Sequence, residues 1–168
     1  MSKNLKIVIV DSDYCDYLRE FDNKIPFNKF DKANRPFIGV LFNIDTIEYF
    51  APLSSPKEKH KKMKNTIDFQ KIDDGNLGAI NFNNMIPVKN GLYELVDLNT
   101  NNVSLEELKY KYMLKQQLTW INKNVDQIKS KGKKLYDLYY LKRLPDSIYN
   151  RCCDYKLLEE KCKEYDNM

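Results

Sequence analysis

The stretch Phe37-Ile38-Gly39-Val40-Leu41-Phe42-Asn43-Ile44-Asp45-Thr46-Ile47-Glu48-Tyr49-Phe50-Ala51 decides the fold. Residues 37–44 form a run rich in β-branched and aromatic side chains, with Gly39 inside it, and read as one strand. Asp45-Thr46 supply a tight turn, and residues 47–51 return as the antiparallel partner. The two ends of a hairpin opposite its turn lie side by side. Arg35, entering the first strand, is therefore expected beside Ser54 and Ser55, which leave the second. A guanidinium and two hydroxyls at one rim of a sheet make a seat for a phosphate.

The exit from this hairpin gathers the chemistry-bearing residues. Phe50-Ala51-Pro52-Leu53-Ser54-Ser55-Pro56-Lys57-Glu58-Lys59-His60 sets two hydroxyls at the end of an apolar strand and brings in the only histidine of the chain. Ser54, Ser55, Lys57 and His60 together can bind a phosphate, polarise it and move protons around it, which is enough to cut RNA without a metal. Ser-Ser-Pro-Lys is also an ordinary strand exit, its hydroxyls bonding turn amides and its lysines in solvent. These eleven residues taken alone favour that plainer reading.

Outward from the hairpin, residues 5–10 read as a buried strand, and Asp11 or Ser12 caps a helix running to about Phe21. Tyr14, Tyr17, Leu18 and Phe21 fall on one side of that helix. Tyr14, nearest its start, is a candidate to present its hydroxyl at a site, although packing is the simpler role. Residues 23–34 read as a surface loop. Beyond the hairpin come a helical or loosely coiled piece at 57–65, a strand at 66–71, a turn at 73–76, a strand at 77–81, and extended pieces at 85–88 and 92–98. Short strands separated by turns point to an α+β fold whose core is a small, partly closed antiparallel β-barrel. From Val103 the period changes. Ser104 and Glu107 match a capping box, Leu114, Leu118, Ile121, Val125 and Ile128 repeat at helical spacing, Gly132 reads as a break, and Asp154 opens a last amphipathic helix.

The 168 residues fit one domain, residues 1–168, able to bury a core without staples. Lys and Arg number 28 against 24 Asp and Glu, a net charge of +4, but placement says more than the sum. Lys57, Lys59, Lys61, Lys62 and Lys64 form one cluster, and Lys129, Lys131, Lys133 and Lys134 a second. Such asymmetry suits nucleic acid; solvated helix faces are the alternative. Four cysteines without a Cys-x-x-Cys pair, and a single histidine, give no zinc site and read as free thiols of a reducing cytosol. No apolar run approaches the ~20 residues of a membrane span, nor is there a signal-peptide core, so a cytoplasmic location is expected.

Six segments then carry a resemblance: Leu18-Arg19-Glu20-Phe21-Asp22-Asn23-Lys24, Arg35-Pro36-Phe37-Ile38-Gly39, Tyr49 through Lys57, Leu77-Gly78-Ala79-Ile80-Asn81, Met85-Ile86-Pro87 and Met113-Leu114-Lys115-Gln116-Gln117-Leu118. Their order resembles the ToxN, AbiQ and CptN toxins of bacterial type III toxin–antitoxin systems, leaning toward CptN. The resemblance implies a Kid- and MazF-like barrel with C-terminal helices packed around it. It implies an endoribonuclease needing no metal or other cofactor, cutting often at A-rich sites to leave 2',3'-cyclic phosphate and 5'-hydroxyl ends. It implies a small repetitive pseudoknot RNA as antitoxin, processed by the toxin and closing with it into ring-like assemblies. Cellular or phage mRNA would be the substrate, and growth arrest or abortive infection the outcome.

By the same resemblance Ser55 matches a serine whose loss disables relatives, Ser54 a Ser/Thr position, Lys57 the motif lysine and Tyr14 the first-helix tyrosine; His60 also has counterparts. Arg35 stands where relatives often carry lysine, which keeps the charge but excludes any role that needs a proton lost. The expected roles are donation to the phosphate by Ser54 and Ser55, charge by Arg35 and Lys57, and proton handling by Lys57 or His60. Lys32, Lys59, Lys61 and Lys62 are expected to line the RNA groove, and Lys115, Lys131, Lys133 and Lys134 to grip RNA on the helical half. A non-catalytic RNA-binding protein using the same basic groove, or a structural adaptor, are the competing readings.

Overall fold

The computed structural model describes residues 4–26 and 35–165. The strands are β1 (Lys6–Val10), β2 (Pro36–Gly39), β3 (Asn43–Ile44), β4 (Ile47–Ser54), β5 (Phe69–Lys71), β6 (Ala79–Asn81), β7 (Ile86–Val88) and β8 (Tyr93–Leu95). The helices are α1 (Ser12–Arg19), α2 (Glu58–Lys62), α3 (Leu105–Lys123), α4 (Val125–Tyr140), α5 (Asp146–Tyr149) and α6 (Tyr155–Glu164).

Local chemistry sets the helix starts. Asp11 accepts the Tyr14 amide hydrogen at 2.9 Å to cap α1, Ser104 accepts that of Glu107 at 3.1 Å to cap α3, and Asp154 accepts that of Leu157 at 3.2 Å to cap α6. Gly132 does not break a helix. It lies buried inside α4 facing Phe82 and Leu41, where a Cβ would meet both at ordinary contact distance.

The hairpin forms around Asp45, whose φ is +54°. Its first arm is two strands rather than one. β2 pairs with β4 through Phe37↔Pro52 and Ile38↔Ala51, and β3 through Asn43↔Glu48 and Ile44↔Ile47. The interruption begins at Gly39, which lies under the Phe50 ring so closely that a Cβ there would overlap it.

β4 is the axis of the sheet. Its first half lies between β3 and β7, its second between β2 and β6. The strand order is β5-β6-β4-β2-β1-β8, with β3 and β7 joining β4 off that path. Among the described residues β5 and β8 do not pair, so the sheet is not closed into the expected barrel. The helices do what closure would have done. Leu114 and Ile121 of α3, Ile128 and Leu135 of α4, and Tyr155 and Leu158 of α6 share one apolar core with the strands.

The buried acid Glu159 is fully bonded. Glu159 takes hydroxyl hydrogens from Tyr49 at 2.6 Å, Tyr136 at 2.5 Å and Tyr140 at 2.8 Å, tying α6 to β4 and α4. The four cysteines are buried and none is in a disulfide. Among the described residues no helix is long and apolar enough to cross a membrane.

Candidate active site

β4 runs out at Ser54, and three neighbours pin this residue in place. Asn81 of β6 donates from Nδ2 to the Ser54 Oγ at 2.7 Å. The register Ser54↔Ala79 makes Asn81 its diagonal neighbour on the same face. Gln117, buried on α3, donates from Nε2 to the Ser54 carbonyl at 3.3 Å and to the Leu77 carbonyl at 2.7 Å. Gly78, at φ +96°, lies against that same Ser54 carbonyl so closely that a Cβ would overlap its oxygen. With Oγ already accepting from Asn81, the serine keeps its own hydrogen for donation.

His60 is held just as firmly on α2. Only 3% exposed, it accepts the Lys57 amide hydrogen at Nδ1 over 3.1 Å. That bond selects the neutral tautomer with hydrogen on Nε2. Burial, reinforced by Lys59 and Lys57, holds the pKa of the ring below its ordinary value. Gly75, at φ +91°, closes the turn beneath it, and a Cβ there would stand 2.8 Å from the His60 carbonyl carbon and oxygen.

Both residues line one cavity of about 380 Å³. Lys57 and Lys59 share their side of it; Asp68, Asn83 and Arg151 are also in the lining. Asp68 is 1% exposed and accepts from Thr66 Oγ1 at 2.7 Å and from Arg151 Nε and Nη2 at 2.9 Å each. Burial alone would raise its pKa, but the Arg151 and Thr66 hydrogen bonds outweigh it and hold the carboxyl below its usual range.

The remaining expected residues scatter. Ser55 is exposed at the strand exit and is not in the cavity lining. Arg35 lies at the same hairpin rim, two residues beyond the Phe37↔Pro52 pair as Ser54 is. Burial lowers its pKa, Tyr110 opposes that shift, and its Nε has no hydrogen-bond partner among the described residues. Tyr14 is not brought to the cavity. It is 0% exposed in the core, and its hydroxyl donates to the Pro87 carbonyl at 2.5 Å; Pro87 pairs with Tyr49, toward the opposite end of β4 from Ser54. Burial drives its pKa far above the ordinary tyrosine value.

The lysines divide in the same way. Lys32 lies outside the described residues. Lys61 is exposed and pairs with Glu58 at 3.4 Å, and Lys62 is exposed beside it. Lys115 is exposed in a shallow depression with Tyr112, Trp120 and Lys123. Lys131 is drawn inward: its Nζ donates to the Phe69 carbonyl at 3.0 Å and to Gln70 Oε1 at 2.9 Å, tying α4 to β5, and burial lowers its pKa. Lys133 pairs with Asp137 at 2.6 Å, whereas Lys134 is exposed.

Asn81, Gln117, Asp68 and Arg151 are site residues that sequence reasoning misses. Asn81 closes the segment Leu77-Gly78-Ala79-Ile80-Asn81, and Gln117 falls three residues after Leu114 and four before Ile121, a polar residue on a core stripe. Asp68 and Arg151 are 83 residues apart and carry no local signal.

The fold and site together define an open α+β domain with a polar, lysine-lined cavity in which a serine and an imidazole are locked by hydrogen bonds. Comparison with known proteins supplies the family. A family model described as toxin ToxN of type III toxin–antitoxin systems matches residues 6–163. The chain is 32% identical over 166 residues to the endoribonuclease ToxN of Bacillus thuringiensis subsp. kurstaki, covering 96% of this chain and 84% of that protein. It is 33% identical over 178 residues to the endoribonuclease AbiQ of Lactococcus lactis subsp. lactis, covering 96% and 89%. A solved structure concerned with selective toxin inhibition by a non-coding RNA pseudoknot superposes with a TM-score of 0.80 at 30% identity, over 99% of this chain and 100% of that one. AbiQ, a lactococcal anti-phage endoribonuclease of the type III class, superposes with a TM-score of 0.82 at 26% identity, over 97% and 98%. The chain belongs to the ToxN family of type III toxin–antitoxin toxins.

Proposed function

We propose that this chain, an RNA-cleaving enzyme of the ToxN family, cuts by attack of a ribose 2'-hydroxyl on the adjacent phosphorus. The 2'-oxygen to phosphorus bond forms, the bond to the 5'-oxygen breaks, the 2'-hydroxyl loses its proton and the leaving oxygen gains one. The products are a 2',3'-cyclic phosphate and a 5'-hydroxyl. The observation that carries the reading is the Ser54 hydroxyl, fixed as an acceptor by Asn81 so that its hydrogen is free to be donated, in one cavity with His60 and the lysines.

Donors directed at developing charge on the non-bridging oxygens are each typically worth about 2.7–4 kcal/mol of transition-state stabilisation. Ser54 fills that role, with Ser55 beside it at the strand exit. Lys57 and Arg35 hold the phosphate charge. His60 serves as a neutral donor through Nε2, because its Nδ1 is occupied by the Lys57 amide. Tyr14 has no part in this arrangement. In the wider reading, a pseudoknot RNA antitoxin processed by the toxin inhibits it in a ring-like assembly, and the released toxin cuts cellular or phage mRNA, often at A-rich sites, in the cytoplasm. The family membership and the RNA-inhibited and anti-phage structural relatives support that reading.

The test is incubation of the chain, and of its Ser55→Ala and Ser54→Ala forms, with an end-labelled A-rich RNA in excess EDTA. Cyclic phosphate ends from the parent and a loss of roughly a hundredfold or more in the variants are expected. Tight binding without cleavage by any form would turn the reading into that of an RNA-binding protein.

A further inference from the structure

The cavity contains an ion pair that the cutting step does not use. Asp68 lies just before β5, and Arg151 in the link between α5 and α6. The Asp68 side chain is 2% exposed and that of Arg151 48%, so a buried carboxylate holds a guanidinium that solvent, or a ligand, still reaches. Two parallel hydrogen bonds use Nε and Nη2 and fix the plane of the fork. The Thr66 hydroxyl completes the carboxylate. The backbone on both sides is tied down as well: the Cys153 amide donates to the Asn83 carbonyl at 2.8 Å and the Asn83 amide to the Asp68 carbonyl at 3.2 Å. Among the described residues Asp68 is the one acid in the lining, and it is paired with Arg151. About 380 Å³ falls in the range of small-ligand sites, leaving room beyond a phosphate seated at Ser54.

We infer that Arg151, aimed by Asp68, is a second phosphate site, which takes a phosphodiester neighbouring the one being cut and so sets which bond lies at Ser54. The inference rests on the nuclease reading for the identity of the reacting phosphate. With Nε and one Nη2 hydrogen on Asp68, the remaining N–H groups of Arg151, held in a fixed plane at the cavity wall, suit a phosphodiester oxygen of single-stranded RNA. A pair that only fastened the α5–α6 link would give the same distances without any effect on RNA.

The test uses the full chain and a single-stranded oligonucleotide with 2'-O-methyl riboses throughout, which has no hydroxyl to attack. Its affinity is measured over a salt series for the parent and for Asp68→Asn/Arg151→Gln, in which two amides replace the ion pair without stranding a buried charge. A thermal melt by circular dichroism establishes that the variant is folded. Affinity is expected to fall about tenfold or more at every salt concentration, through the lost charge-assisted hydrogen bonds, while the slope of log K against log salt changes little because the pair removed carries no net charge. On cleavable RNA the variant is expected to spread its cuts over neighbouring bonds. An unchanged affinity in the folded variant overturns the inference. Should the double variant fail to fold, Arg151→Lys carries the test: a wild-type KM and cutting pattern from a residue that keeps the charge but lacks the fork overturns the inference, and a raised KM with scattered cuts supports it. A parent that binds more tightly than the folded variant yet cuts no RNA upholds the second phosphate site and overturns the nuclease reading.

Discussion

His60 accepts the Lys57 amide hydrogen, and that bond requires a neutral ring, since protonation would set a donor against a donor. The folded pKa is therefore below the ordinary 6.5, lowered by burial first and then by Lys59 and Lys57. As pH falls, the unfolded chain binds this proton before the folded one does. The stabilisation is thus complete above 6.5 and is lost as pH falls from 6.5 through the folded value. Thermal melts should show Tm declining on acidification below pH 6.5, and His60→Asn should flatten that decline. Asp68 acts in a separate, lower window, because its depressed pKa withdraws stability only below the ordinary 3.8. Asn81 offers a second test on the residue scale. Asn81→Ala removes one hydrogen bond from Ser54, worth about 1 kcal/mol, so kcat should fall about fivefold while affinity for uncuttable RNA is unchanged.

The site depends on how whole elements meet at the end of β4. Two turn glycines with positive φ set this meeting, Gly75 beneath His60 and Gly78 against Ser54. Gly91 has almost the same conformation, at φ +92°, with nothing within 4 Å of a built Cβ, and so provides a control. Gly91→Ala should cost only the conformational strain, ~1–2 kcal/mol, and lower Tm by a few degrees with cleavage intact. Gly78→Ala adds an overlap with the Ser54 carbonyl, and should lower Tm further and abolish most of the cleavage. Equal effects on activity from the two substitutions would show that Ser54 does not depend on the close approach of the β6 turn. The long helix α3 enters the same junction through Gln117, which bonds both sides of it, at Ser54 and at Leu77.

Among the described residues, the basic side chains have different surroundings. Lys57 and Lys59 face the cavity, Lys115 and Lys134 are exposed on the helical half, and Lys131 fastens α4 to the sheet. Charge reversals on the second cluster should therefore separate. Lys134→Glu is expected to weaken RNA binding and leave Tm unchanged. Lys131→Glu sets a carboxylate against the Phe69 carbonyl and should cost on the order of 1–3 kcal/mol of stability. Titrating both variants with RNA and melting each would check the division; matched losses of affinity at constant Tm would place Lys131 on the binding surface instead.

The alternating and helical patterns, the caps at Asp11, Ser104 and Asp154 and the hairpin turn at Asp45 were legible in the sequence, because each is governed by residues a few positions apart. Of the grouping Ser54, Ser55, Lys57 and His60, read from seven consecutive residues, the cavity brings together Ser54, Lys57 and His60, whereas Ser55 is exposed outside its lining. Distant packing decided the rest. The helices covered the sheet and left it open, and the burial of α1 took Tyr14 into the core. Asn81 reached Ser54 across 27 residues, Gln117 across 63, and Arg151 reached Asp68 across 83. Composition and period carry no information on such pairings, since a side chain's partner is set by which faces meet once the apolar surface is buried, and only the tertiary structure determines that.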